Sequence, residues 1–489
     1  RLNYDFKDKY LLSFVFRRDG YSSLLGDNRW GFFPGVSAGW IFGREDFIKE
    51  AIPVMSFGKL RASYGINGNA SGIGAYTLQG SYGSSNSNGS FNYNGNTSYL
   101  ITELPNPNLR WEKTATFEVG ADLSFFANRL NTNLTYYNRL TSDKYAALSF
   151  PTSTGFSSVT NNNGEFRNQG IEIELSGKII DSKDWTWSAS GNIAFNKNKI
   201  VSLPDNGMER NRINAFQVYT GNGDEKKWVG GQQEGQEPGI LYLYQADGIY
   251  RSYDEIPANL VRKYGSRTYY GPEAWNKLTA EQQNATTNFP IQPGDTKFHD
   301  VNGDDVIDEF DKVKVGATSP RWTGGFNTTL RWKNFQLYGR FDYALGFWLY
   351  ENSGTQSTTP WFMGCYQGTY NTPTMYYDTW SESNPNAKYP RYLFADQNGK
   401  NNYIASTMFA YRGDYLAIRE ISLSYSLPES VAKMLKMQRA EVSITGQNLG
   451  YITGAKNVGS PEANPKDNGA VGQGYSLPRT ILFGVNLTF

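Results

Sequence analysis

Period-two alternation of apolar and polar side chains, repeated in stretch after stretch, is the feature that most limits how this chain can fold. Between Thr114 and Phe125 the odd positions read Ala115, Phe117, Val119, Ala121, Leu123 and Phe125. The even positions read Thr114, Thr116, Glu118, Gly120, Asp122 and Ser124. Successive side chains of a strand point to opposite faces, so this stretch has one apolar and one polar face. The pattern returns with Ile171, Ile173, Leu175 and Ile179, with Trp185, Trp187, Ala189, Ile193 and Phe195, and with Phe335, Leu337, Phe341 and Tyr343. Such stretches run for about 9 to 14 residues. A tilted membrane-crossing strand needs roughly 9–11 residues, whereas strands of soluble folds cluster nearer about 5–6.

The linkers come in two sizes. Ala127-Asn128, residues 181–184 and residues 332–334 are tight. Residues 67–109, 141–166, 197–237, 248–319, 346–411 and 448–476 are long and rich in Gly, Asn, Ser and Tyr. Alternating short and long connections predict an all-β antiparallel transmembrane barrel with short periplasmic turns and long extracellular loops. Structureless loops of this length would count against a compact soluble domain. Aromatics mark the strand ends: Trp30, Phe32 and Phe33; Tyr136 and Tyr137; Trp185 and Trp187; Trp332. Their repetition predicts interfacial girdles, and the competing reading is that the rings fill a soluble core. The C-terminus alternates through Ile481, Phe483, Val485, Leu487 and Phe489. Closing on a terminal Phe, it resembles the assembly signal of outer-membrane barrels.

Composition narrows the function classes. The 489 residues carry 47 basic and 46 acidic side chains, without the basic excess of a nucleic-acid binder. One cysteine and one histidine exclude a disulfide framework and a Cys/His zinc site, and any Ser-His-Asp triad would have to use His299. No apolar run is long enough for a membrane helix, which leaves a barrel open. Arg1 begins directly in strand-like sequence, with no initiator Met or leader. The expectation is that residues 1–489 are the C-terminal part of one barrel domain whose first strands, plug and signal peptide lie outside this chain.

Two loop regions carry candidate sites. Asp300, Asn302, Asp304, Val306, Asp308 and Asp311 stand at the 1, 3, 5, 7, 9 and 12 spacing of a calcium loop, with Val306 offering its carbonyl. Asp305 replaces the usual turn Gly, and Asp311 replaces the usual bidentate Glu. A structural Ca2+ is one reading; a turn held by side-chain-to-backbone hydrogen bonds is the other. The second region gathers Phe347, Trp348, Tyr350, Trp361, Phe362, Tyr366, Tyr370, Tyr376, Tyr377 and Trp380 without alternation. Flat rings with polar tips suit sugar faces or peptide side chains, and the alternative is packing on the barrel rim.

Five segments resemble the SusC/RagA-type TonB-dependent outer-membrane transporters known from Bacteroidetes. They are residues 59–69; Asn106 to Lys113 with Phe117-Glu118; Asn168 to Leu175; Pro293 to Asp304 followed by Ser319-Pro320-Arg321; and Trp380 to Arg391. The resemblance implies most strands of a 22-stranded barrel with a plugged lumen. It implies a nutrient importer, not an enzyme, that takes an oligosaccharide or a peptide as its small oligomeric ligand. It further implies a SusD-like lipoprotein lid, a TonB complex acting through the N-terminal region, and a dimer of transporter–lid pairs in the bacterial outer membrane. In such a protein, Trp348, Trp361, Phe362, Tyr366, Tyr370, Tyr376, Tyr377 and Trp380 would contact ligand or lid. The rivals are a passive porin or adhesin anchor, and a secreted glycan-active enzyme.

Overall fold

Each long alternating stretch forms a strand that pairs with its neighbours in the chain. The strands are β1 (Leu2–Phe6), β2 (Tyr10–Gly20), β3 (Trp30–Trp40), β4 (Met55–Asn69), β5 (Glu112–Phe125), β6 (Leu130–Ser149), β7 (Ser158–Asp181), β8 (Trp185–Ser202), β9 (Trp322–Trp332), β10 (Phe335–Leu345), β11 (Tyr415–Ser426), β12 (Arg439–Thr453) and β13 (Thr480–Thr488). The computed structural model describes residues 1–74, 76–86, 89–90, 92–94, 96–350, 378–391, 404–455, 460–462 and 477–489. It joins these strands into one sheet in sequential order, and the pairings are antiparallel. Such an up-and-down meander is the arrangement of transmembrane barrels. Among the described residues this sheet has thirteen strands, and the short strands of the long connections pair with one another and not with it.

Register turns the alternation into two surfaces, because residues opposite one another on a ladder share a face. Val119 stands between Ala62 and Tyr136, and Asp122 between Lys59 and Asn133. The apolar surface is the exposed one: Ile173, Leu175, Phe326, Leu337, Leu423 and Ile444 lie open along it. A soluble sheet would bury that face, whereas lipid is the solvent that suits it. The same logic corrects two of the aromatic doublets. Trp30 and Phe32 are exposed, but Phe33 is buried at 3%; Tyr136 is exposed, but Tyr137 is buried at 6%. Phe33 packs edge-on to Trp111 with ring centres 5.4 Å apart, and the Tyr137 hydroxyl donates to Asn196 Oδ1 at 3.1 Å. Trp185, Trp187 and Trp332 are all exposed, with Trp185 stacked on Trp332 at 5.6 Å.

The region 141–166, expected as a loop, is mostly strand. β6 runs 20 residues and β7 runs 24, well beyond the roughly 9–11 that cross a membrane. Their outer halves pack into the cap that the long connections form. Asn162 is 7% exposed and hydrogen-bonds to the backbone of Arg110, and Tyr145 packs on the cluster of Leu24, Ile73, Leu78 and Leu109, so neither face keeps the lipid-to-wall alternation.

Buried apolar clusters lie mainly in the long connections. Residues 203–321 fold into small sheets of their own, including Ile240–Tyr244 paired with Lys312–Ala317. Tyr244, Tyr250, Ile256, Leu260, Tyr269, Ile291, Phe298, Ile307 and Ile404 form its core. Leu243, Tyr350, Tyr389 and Phe409 form a second cluster, and Leu24, Ile73, Leu78 and Leu109 a third. The long-loop end is therefore a structured cap. At the other end the predicted tight turns hold, with Phe126, Ala127, Asn128 and Lys333 in the left-handed region.

Candidate functional site

The polar phase of the strands builds a wall of hydrogen-bonded groups. From β4, Arg61 Nε donates to Asp122 Oδ1 at 3.3 Å and Nη2 to Asn133 Oδ1 at 2.9 Å, tying three strands together; it also donates to Thr135 Oγ1. Arg139 pairs with Glu118 at 3.2 Å, and Ser190 Oγ donates to Asn327 Oδ1 at 3.0 Å. Asp122, Asn133, Glu174, Ser190, Asn327 and Arg340 border a concavity of about 720 Å3 on this wall. Towards the cap, Arg419 Nε meets Asp342 at 2.7 Å, and its Nη2 binds Glu462. Composition could not single these residues out. They are ordinary polar residues whose importance comes from the strand phase they occupy.

Two of the family-like segments, far apart in sequence, meet in the cap. Asp295 is fully buried, and Arg391 Nε donates to its Oδ1 at 2.7 Å. Arg391 Nη1 reaches Gln292 Oε1 at 2.6 Å, while Gln292 N donates to Asp295 Oδ2 at 2.9 Å. Gly294 lies between them at φ +87, and a Cβ there would come within 2.5 Å of Trp380 Cε3 and 2.8 Å of Arg391 Cβ. Glycine is required by both the backbone and the space. The two segments form one clamp.

Only part of the aromatic prediction can be placed. Trp361, Phe362, Tyr366, Tyr370, Tyr376 and Tyr377 lie outside the described residues. Trp348 lies against Gly316, with the Arg412 guanidinium 5.5 Å from its ring centre. Trp380 covers Gly294, and its buried indole N–H meets no hydrogen-bond acceptor among the described residues. Phe347 and Tyr350 are buried in the cap. On the strands, Phe483, Val485, Leu487 and Phe489 share the exposed apolar face of the chain's end.

The acidic loop is stapled to its own backbone. Asp300 accepts from the N–H groups of Gly303 and Asp305, both at 2.8 Å. Asp304 accepts from Val306, and Asp308 from Phe310. Asp311 accepts from Val301 at 2.9 Å and Asp308 at 2.7 Å. Asp305, at the position of the usual glycine, adopts φ +61, which Asp tolerates better than most. Burial, reinforced by the charges of Asp308 and Asp300, lifts the Asp311 carboxyl to about 6 against the lowering effect of its two backbone hydrogen bonds. Among the described residues no three acidic, His or Cys side chains converge as a metal cage. The buried Asn302 Oδ1, at loop position 3, meets no hydrogen-bond donor among the described residues. His299 Nδ1 lies 3.1 Å from Asp247.

Comparison with known proteins agrees with this architecture. Residues 1–269 match the family described as TonB dependent receptor-like, beta-barrel, more than half of the 489 residues. A TonB-dependent receptor of Formosa agariphila is 29% identical over all of this chain and 45% of its own length. The TonB-dependent receptor SusC of Bacteroides thetaiotaomicron is 27% identical over all of this chain and 43% of its own. The chain thus spans a little under half the length of these relatives. Among solved structures, the RagAB peptide importer in its closed-closed state superposes with a TM-score of 0.70 at 22% identity, over all of this chain and 47% of that one.

Proposed function

Since this chain belongs to the TonB-dependent receptor-like β-barrel family and is an outer-membrane barrel protein, we propose that it serves TonB-dependent active import of a nutrient, an oligosaccharide, across that membrane. The observation that carries the reading is similarity along all of this chain, and a little under half of theirs, to TonB-dependent receptors, SusC among them. A passive porin or an adhesin anchor would share the sheet and the terminal Phe489, but not relatives of this kind. Peptides are the second reading, because the similar structure is titled a peptide importer.

In this mechanism a SusD-like lipoprotein closes over the cap, and ligand is held between lid and barrel. A TonB complex, acting through an N-terminal plug-bearing region, then opens a path along the polar wall. Two transporter–lid pairs associate. The work is binding and gating, with no bond-making step. Trp380, Trp348 and the six aromatics outside the described residues contact ligand or lid through their rings. As a subsidiary proposal, the loop from Asp300 to Asp311 takes a structural Ca2+, supported by a buried Asn302 Oδ1 that meets no donor among the described residues. Each carboxylate has lone pairs beyond those used by backbone N–H groups.

Deleting the gene in the native host and growing the strain on single oligosaccharides or peptides tests the import reading. Growth on one class is expected to fail, and to return with the intact gene only when TonB is present. Undiminished growth on every source, or rescue without TonB, would sink it.

A further inference from the structure

The connection between β3 and β4, residues 41–54, has more structure than a short-turn end requires. It holds a single 3-10 turn (Phe42–Arg44) and helix α1 (Asp46–Ala51). Its position relative to the sheet can be read from contacts. Trp40 lies opposite Leu60 on one ladder and Tyr10 on the other, so the three share a face. Leu60 and Tyr10 are exposed, which makes that face the lipid one. Glu45, directly before α1, is bound there: Lys9 Nζ donates to it at 2.7 Å, Tyr10 Oη at 2.9 Å and Trp40 Nε1 at 3.3 Å. Those three donors hold its carboxyl below the ordinary carboxylate range. Phe42 confirms the side. Its ring lies over Gly58, where a Cβ would come within 2.6 Å of it, and Gly58 shares the strand phase of Leu60 and Tyr64, both exposed.

The segment so pinned presents apolar side chains outward. Phe47 is 61% exposed and Val54 49%, and Ala51, Ile52 and Pro53 between them are exposed too. Of the helix's three charged residues, Asp46 and Lys49 pair at 3.1 Å, and Glu50 is exposed to water. Val54 is level with the next turn, since Phe126 N donates to its carbonyl at 2.8 Å. A short amphipathic segment beside an aromatic belt, continuous with a lipid-facing surface, matches the chemistry of a bilayer interface.

We propose that residues 41–54 form an interfacial foot, seated by Glu45 on the lipid side of the barrel, with Phe47, Ile52 and Val54 inserted in the phospholipid leaflet that faces the periplasm. Tyr10, Trp40 and Phe42 extend the same contact along the sheet. The inference rests on the outer-membrane placement of the barrel and is independent of what the protein imports.

Depth-dependent quenching tests it. The full protein, carrying Cys365→Ser and Phe47→Cys, is labelled with an environment-sensitive fluorophore. It is reconstituted in phosphatidylethanolamine/phosphatidylglycerol nanodiscs containing phospholipid spin-labelled near the glycerol. Quenching is expected to be severalfold stronger than for a label at Lys183→Cys in the turn between β7 and β8, an exposed position that makes no contact with the foot. Adding Glu45→Ala is expected to lower it toward that control. Quenching no greater than the control overturns the proposal. Red emission would then place the segment in water, and blue emission would place it under protein.

Discussion

At the residue scale, the Asp295–Arg391 pair shows how a buried charge can organise a loop. Removing one partner of such a pair leaves the other uncompensated and typically costs about 3–5 kcal/mol. Arg391→Ala is therefore expected to expose the cap to protease and to speed amide exchange at Gln292 and Asp295, while the barrel keeps its heat-modifiable gel mobility. Unchanged exchange at those amides would show that the clamp does not hold the cap. Gly294→Ala should act in the same direction through a different cause. It sets a methyl group against Trp380 at a φ of +87, a strained position that costs on the order of 1–3 kcal/mol. The contributing segments were visible as motifs, but their contact was not, because nothing local in Pro293-Gly294-Asp295 announces a partner 96 residues away. A calorimetric titration of the purified protein with Ca2+ decides the acidic loop. Saturable heat lost in Asp304→Ala supports the ion, and absence of heat leaves the hydrogen-bonded turn.

At the element scale, alternation was legible wherever one strand face meets lipid and the other the polar wall. The phase of β5, β7, β8, β10 and β13 was read correctly for that reason. It failed in two physical situations. Adjacent residues in a strand face opposite ways, so Phe32-Phe33 and Tyr136-Tyr137 could never both belong to a girdle. Beyond the membrane-crossing length, residues 141–149 and 158–166 of β6 and β7 pack against the cap, with Asn162 buried at 7% and Tyr145 on a buried cluster, so polar side chains are buried there and the sequence looks like loop. The two faces should respond differently to charge. Ile173→Arg on the lipid face is expected to cost about 2–4 kcal/mol near the bilayer midplane. Ser190→Arg on the polar wall should cost far less, as judged by urea unfolding in lipid. Equal losses would contradict the assignment of faces. Phe489→Ala is expected to slow assembly, read as a smaller heat-modifiable fraction in the outer membrane. A normal rate would remove the terminal Phe from the assembly signal.

At the scale of the whole molecule, a sheet with its apolar side outward and its buried apolar clusters gathered in the cap is the reverse of a soluble β-fold. That inversion follows from the solvent, and it made the membrane barrel readable from sequence. The cap's interior was less readable, because its strands are short and its contacts long-range. The import reading joins the barrel to a lid and to an energy source, so the most direct test asks what travels with the protein. Purify the native complex from the outer membrane in mild detergent and identify every co-purifying polypeptide by mass spectrometry. The account predicts a plug-bearing N-terminal region together with a SusD-like lipoprotein in equal amounts. Recovery of the barrel in the membrane with neither of them would contradict it and favour a passive pore or an adhesin anchor.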